Sequence, residues 1–223
     1  MKPIIFSTEM VKAILDGRKT QTRRVIKPQP LSGLHNGKYR YDGIQDGVHA
    51  LELLDDGGNP TEKYYACVKP PYVPGDVLWV RETWCYLYDL DGNDQIIEGT
   101  GKYYYAADKE LPPYSFYLRD DGTHRDFPIW KPSIHMSKAA ARIFLKVTDV
   151  SVERLQEISS RDCFREGIKV TVHNALPPVI GNKFTLAHFD FAELWDSINA
   201  KHHYSWKNNP WVWSIKFERT EKP

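Results

Sequence analysis

Gly17-Arg18-Lys19-Thr20-Gln21-Thr22-Arg23-Arg24 concentrates four cations around two threonines, with a glycine in front. Upstream, Ser7 or Thr8 can cap a helix, Val11, Ile14 and Leu15 fall on one apolar face, and Gly17 supplies a stop. The spacing therefore predicts a short helix over 7–17, with the basic cluster starting where it ends. The plainest account of such a cluster is a solvated, positively charged stretch, since cations favour the carboxy terminus of a helix. A chemical account is also open. A threonine hydroxyl is a poor nucleophile until a base takes its proton, and a lysine serves as that base only when desolvation or neighbouring cations lower its pKa. Arg18, Arg23 and Arg24 flank Lys19 in that way. In a regular strand, positions 19 and 22 point to opposite faces, so their cooperation calls for a turn or bulge between them. Thr22 and Arg24, two apart, share one face, which places Arg24 to orient a substrate beside the hydroxyl.

Outward from the cluster, residues 28–74 are rich in Gly, Pro, Asp and Tyr, and Asp55-Asp56-Gly57-Gly58-Asn59-Pro60 is a turn, so hairpins and loops are expected. Pro74-Gly75-Asp76 launches Val77-Leu78-Trp79-Val80-Arg81-Glu82, a central strand with few solvent-facing positions. Residues 88–128, with Tyr103-Tyr104-Tyr105, read as a second inserted hairpin, and 141–152 as another strand. Ser159 to Glu166 forms a short helix ended by Gly167. Asp190-Phe191-Ala192-Glu193 has capping-box spacing ahead of Leu194, Trp195 and Ile198, which predicts a further helix beginning there. Trp211 to Glu218 alternates large apolar residues at odd positions, as a half-buried strand does.

Composition narrows the function classes. Thirty basic and twenty-nine acidic side chains leave a net charge of +1, which suits a small or partly buried ligand better than a long nucleic acid held by many phosphate contacts. No apolar run reaches the roughly 18 to 20 residues a membrane span requires, and the amino terminus carries no signal peptide, so a cytoplasmic location without membrane contact is expected. Cys67, Cys85 and Cys163 include no close pair and are read as small hydrophobes. No histidine spacing suits a metal, so neither metal nor cofactor is expected. Trp79, Trp195 and Trp213 are assigned to the core, whereas Trp84, Trp130 and Trp206 stand beside polar or turn residues and are candidates to line a pocket.

Gly17, Lys19, Thr22 and Arg24 resemble the hallmark of the ASCH family, Gly-x-Lys followed by a polar residue and an arginine, with Thr22 where that family usually has glutamate. In this respect the stretch is similar to the small bacterial ASCH enzymes that hydrolyse N4-acetylcytidine, which carry Gly-Arg-Lys-Thr-x-Thr-x-Arg. Three further blocks, Pro74 to Trp84, Trp130 to Met136 and Asn209 to Trp213, look like those of longer, often phage-borne members.

The resemblance implies an α+β fold, a PUA-like mixed β-barrel with flanking helices, as one domain over 1–223 with insertions at about 28–74 and 88–128. It implies amide hydrolysis on an N4-acylated cytosine nucleoside, with Thr22 as nucleophile, Lys19 as its activating base and a distant glutamate, for which Glu166 is the candidate. Arg24, Arg23, Trp84 and Trp130 are assigned to the substrate, and the chain is expected to act as a monomer. Two rival readings use the same residues. An RNA-binding module would contact phosphate through Arg18, Lys19, Arg23, Arg24 and Lys27, and a ribonuclease would turn those cations on a phosphorane-like transition state.

Overall fold

The computed structural model describes residues 1–27, 29, 38–45, 48–55, 57–89, 91–93, 95, 97–108, 117–118, 124–125, 130–169 and 185–223. In chain order the elements are β1 (Lys2–Ile5), α1 (Thr8–Leu15), β2 (Gln21–Val25), β3 (Lys38–Gln45), β4 (Val48–Leu54), β5 (Pro60–Val68), β6 (Val77–Arg81) and β7 (Trp84–Leu87). They continue with β8 (Lys102–Tyr105), β9 (Tyr117–Leu118), β10 (His124–Arg125), β11 (Phe144–Arg154), α2 (Ser160–Arg165), α3 (Leu186–Asn199) and β12 (Trp211–Thr220). The fold is α+β. It divides into two compact units that alternate along the chain: Met1–Asp16 with Val77–Leu145 and Arg219–Pro223, and Gly17–Asp76 with Lys146–Glu218.

In the first unit α1 forms as its sequence predicts. The Ser7 side chain accepts from the Met10 N–H at 3.4 Å, and Val11, Ala13 and Ile14 are buried. After the helix Gly17 takes φ +74°, a left-handed conformation that suits glycine. Strand β1 runs parallel to β6, from Lys2 opposite Leu78 to Ile5 opposite Arg81. On the other side of β6 the Val80 N–H donates to Ile143 O at 3.0 Å, and Leu78, Trp79 and Val80 are all buried, as a central strand requires. Strands β7 and β8 pair as an antiparallel hairpin and β9 with β10 as a second, while the rest of the 109–129 stretch lies outside the described residues. Trp79, Trp84, Met136, Ala140, Ala141 and Phe144 make one apolar core cluster of this unit. Glu82, buried beside that core, receives both of its oxygens' hydrogen bonds from Arg142 at 3.0 Å, and Arg142 also binds Asp108 at 2.7 Å. The guanidinium lies 3.9 Å from the centre of the Tyr105 ring, whose hydroxyl donates to Ala140 O at 2.7 Å and is pushed up to about 12 by burial.

In the second unit the strand order is β11, β12, β2, with β12 antiparallel to β2 and β2 at the sheet edge. A separate antiparallel sheet, β3-β4-β5, occupies much of the 28–74 stretch, and its β4–β5 connection is the expected turn, Asp55 N–H donating to Asn59 O at 2.8 Å. Among the described residues no sheet closes on itself.

Two expectations need correction. Helix α3 starts one turn before Asp190, at a cap formed by Thr185, whose N–H donates to His188 Nδ1 at 3.0 Å. That bond makes Nδ1 the acceptor, so Nε2 carries the proton and donates to Ile158 O at 2.9 Å. Asp190 is instead an internal, buried position. Strand β12 buries its odd positions Trp211, Trp213, Ile215 and Phe217 and exposes the charged even positions Lys216 and Glu218 as expected, but its start is not half-buried, because Val212 and Ser214 are buried too. Val212 joins Leu155, Ile158, Cys163, Ala187, Phe191 and Trp195 in a core cluster, so this end of the strand is covered on both faces. The Cys163 thiol, buried there, is pushed up to about 12 by desolvation and is inert as a nucleophile.

Candidate active site

The basic cluster starts just past the end of α1, as expected, and its side chains also meet the carboxy end of a second helix, α2, far along the chain. Ser159 caps its start, accepting from the Asp162 N–H at 3.1 Å, and the helix stops at Glu166 because Gly167 turns with φ +94°. A helix end leaves carbonyls without intrahelical donors. Lys19 Nζ donates to Glu166 O at 2.9 Å, Arg18 Nη1 to Gly167 O at 2.7 Å, and the Thr20 N–H to Arg165 O at 2.9 Å. Lys19 and Glu166 form an isolated antiparallel bridge, and Gln21 Nε2 reaches Asp162 O at 3.0 Å.

The same segment builds a chain of charges, three of them buried and the fourth, Glu153, partly so. Lys19 Nζ donates to Glu166 Oε2 at 2.7 Å, with side-chain exposures of 0% and 5%. The other oxygen, Oε1, accepts from Arg23 Nη1 at 3.0 Å. Arg23, its side chain 2% exposed, also donates through Nε to Glu153 Oε1 at 2.5 Å and lies 3.9 Å from Asp162 Oδ2. The order is therefore Lys19, Glu166, Arg23, Glu153, two cations interleaved with two carboxylates. Such a chain is stable only with its charges matched, because removing a partner leaves an uncompensated charge in a low dielectric.

Burial dominates the electrostatics of Lys19. It pushes the ammonium below the usual lysine range against the opposing pull of Glu166, and Arg24 and Arg23 add to the lowering. The flanking arginines thus act in the sense expected from sequence, but as minor contributors beside desolvation. Burial also works against the charge on Arg23, yet Glu166 and Glu153 more than offset it and its pKa rises. Glu153 is raised by burial, with Arg23 pulling the other way.

Thr22 lies on a different face. Lys19, Gln21 and Arg23 all engage α2, so the strand alternation places Thr22 and Arg24 opposite them. Thr22 is buried and faces Ile215 across the pairing of β2 with β12, and Arg24 faces Trp213. The Trp213 ring stands edge-on to His49 at 5.0 Å. Between Lys19 and Thr22 the backbone departs from the β12 pairing at Thr20, whose carbonyl accepts from the Phe217 N–H at 2.9 Å while its own N–H donates to Arg165 O at 2.9 Å. Lys19 precedes β2 and bridges to Glu166, and among the described residues no hydrogen bond joins it to Thr22. Arg24 nonetheless acts electrostatically on both Lys19 and Glu166, so the two faces are close in their fields at this edge.

The structure brings Lys19, Glu166 and Arg23 together, with Arg23 bound to carboxylates rather than free for a ligand. Trp84 and Trp130 belong to the first unit. Trp84 is packed in that unit's core, with Lys131 Nζ 5.1 Å from its ring centre, and Trp130 is partly buried. Trp206 packs against Phe191 in the second unit's core. Sequence reasoning missed Glu153 and Asp162. The Ser159-x-x-Asp162 spacing is a local capping signal that marks Asp162, but Glu153 lies near the end of a strand with nothing to announce its partner.

Among the described residues no helix is long and apolar enough to cross a membrane, and no group of three His, Cys, Asp or Glu side chains is arranged for a metal ion. Comparison with known proteins returns no match to a family model, a curated protein or a solved structure.

Proposed function

We propose that this chain is an amidohydrolase of the ASCH type, with a PUA-like fold, acting on N4-acylated cytosine nucleosides such as N4-acetylcytidine. The observation that carries the reading is the buried Lys19–Glu166 pair at 2.7 Å, set beside the strand that bears Thr22 and Arg24. The residues of the motif meet the glutamate 147 positions away that the reading requires. Mixed parallel and antiparallel pairing around a helix-led motif agrees with the fold part of the proposal.

The proton inventory closes with these groups alone. In the resting pair Lys19 is an ammonium and Glu166 a carboxylate. Transfer over 2.7 Å to Oε2 gives a neutral amine and a carboxylic acid, an exchange that burial of the lysine favours. The amine takes the Thr22 proton as Oγ1 attacks the acyl carbon, and the carboxylic acid protonates N4 as the C–N bond breaks, releasing cytidine. Lysine, again an ammonium, passes its proton to the glutamate, and water then cleaves the threonine ester by the same sequence. Lys19 and Thr22 are both buried and on opposite faces, so this sequence of steps requires the acyl group to enter at the edge of β2, the outermost strand of its sheet, where both side chains can reach it. Arg24, on the Thr22 face, orients it.

Incubation of the purified chain with N4-acetylcytidine is expected to release cytidine and acetate. Thr22→Val, which matches the side chain's shape, is expected to lower kcat/KM by about 10³-fold or more while the unfolding midpoint stays near that of the parent. Absence of turnover across several acyl chains defeats the proposal, and an active Thr22→Val defeats the nucleophile assignment.

RNA binding is less well served by the same geometry. Of the five cations it would use, Lys19 and Arg23 are buried and bound to carboxylates, which leaves few phosphate contacts. Any RNA affinity is therefore expected to fall only shallowly with salt, by a slope of about one to three in log–log form. A steep slope in a filter-binding titration favours the RNA-binding module, and cleavage of labelled RNA in the same samples favours the ribonuclease.

A further inference from the structure

Glu153 belongs to none of the motifs and has no assigned role, yet it occupies one end of the chain of charges. Its contact is with Arg23 Nε at 2.5 Å, and Arg23 spends Nη1 on Glu166 at 3.0 Å, so one guanidinium is shared between two carboxylates. Whatever charge Glu153 carries is charge that Arg23 does not present to Glu166. Glu166 in turn divides itself between Arg23 on Oε1 and Lys19 on Oε2. We propose that Glu153 is a positioning residue that sets, through Arg23, how strongly Glu166 holds the proton of Lys19. The role assigned to that proton rests on the hydrolase reading above. The coupling itself does not.

The charged groups among the described residues that face these side chains all enter the balance. Lys19 precedes β2, Arg23 and Arg24 lie on it, Glu153 lies near the end of β11, and Asp162 and Glu166 belong to α2 and its cap. Asp162 is held by Ser159 at 2.8 Å and by Arg165 at 3.3 Å, and Glu157 and Asp162 both act on Glu153. Tyr72 acts on Arg24, and the Cys163 thiol feels Arg23 and Glu166. Of the carboxylates, Glu153 and Glu166 are the two that the Arg23 guanidinium hydrogen-bonds. Neutralising Glu153 releases the whole cation onto Glu166, weakens its hold on Lys19, and removes an anion from the neighbourhood. Both effects make the Lys19 amine less basic.

The experiment is an NMR titration of the full chain carrying lysine labelled at Cε, in the parent, Glu153→Gln and Glu153→Asp. The expected result is a downward shift of the Lys19 midpoint in Glu153→Gln, and a smaller downward shift in Glu153→Asp, which keeps the charge on a shorter arm. Coincident midpoints in the three folded proteins overturn the proposal, as does an upward shift. Should Glu153→Gln not fold, the Glu153→Asp comparison decides by itself. In a parallel assay with N4-acetylcytidine, the acid limb of kcat/KM is expected to move to lower pH in Glu153→Gln. If no protein turns the nucleoside over, the hydrolase reading fails while the titration still judges the role of Glu153.

Discussion

Lys19→Met is expected to abolish hydrolysis of N4-acetylcytidine, by about 10³- to 10⁴-fold in kcat, because the reaction loses both the base that frees Thr22 and the route by which the proton reaches Glu166. It also removes one of the two cations on Glu166, and breaking a buried ion pair from one side costs about 3–5 kcal/mol. Arg23 still holds Oε1, so the lower end of that range is expected. Urea unfolding separates the two effects. Lys19→Met in combination with Glu166→Gln is expected to be less destabilised than the sum of the single changes by about 1 kcal/mol or more, since the neutral amide no longer needs the lysine. Additive losses sink the claim that the pair is coupled, and a Lys19→Met protein that retains full turnover sinks the mechanism.

The parts of this site that sequence made legible are those fixed by local backbone chemistry. Ser7 with Gly17 bounds one helix and Ser159 with Gly167 bounds another, because a capping hydroxyl and a left-handed glycine act within a few residues of themselves. The start of α3 was misread for the same reason in reverse. Asp190-x-x-Glu193 has the letter pattern of a cap, but the first turn was already secured by Thr185 and a histidine, His188, in the place where glutamate or glutamine is usual. The half-buried pattern read into β12 fails at its start because a strand flanked by β11 and β2 and covered by a helical core cluster has no solvent face to report at that end.

Charge pairing is the least local feature and was the least legible. Lys19 finds Glu166 and Arg23 finds Glu153 across more than a hundred residues, and nothing in the composition of either segment names its partner. Glu166 entered through family resemblance. The turn or bulge expected between Lys19 and Thr22 rests on Gly17 and on the need to converge; β2 is regular only from Gln21, and Lys19, Gln21 and Arg23 each gain an acceptor on α2 or its cap.

Arg23→Met is expected to produce the largest loss of stability of any single change in the site. The guanidinium is the common partner of Glu153 and Glu166 and lies near Asp162, so its removal strands Glu153 and leaves the almost wholly buried Glu166 with Lys19 alone on its other oxygen. A loss of about 3–5 kcal/mol at neutral pH follows, a large share of the stability of an ordinary domain. The pH dependence identifies the cause. Burial already holds Glu153 above its ordinary value with Arg23 present, and without the cation that opposes the rise it moves higher still. A carboxylate whose folded pKa is raised binds more protons folded than unfolded, so its contribution is fully present below the unfolded value and is lost as pH rises through the folded one. The deficit of Arg23→Met relative to the parent should therefore shrink between pH 7 and about pH 5, as the stranded Glu153 takes up a proton. Unfolding by urea at the two pH values measures it. An equal deficit at both would mean that Arg23 contributes packing alone, and the chain of alternating charges from Lys19 to Glu153 would not be what holds β2 against the end of α2.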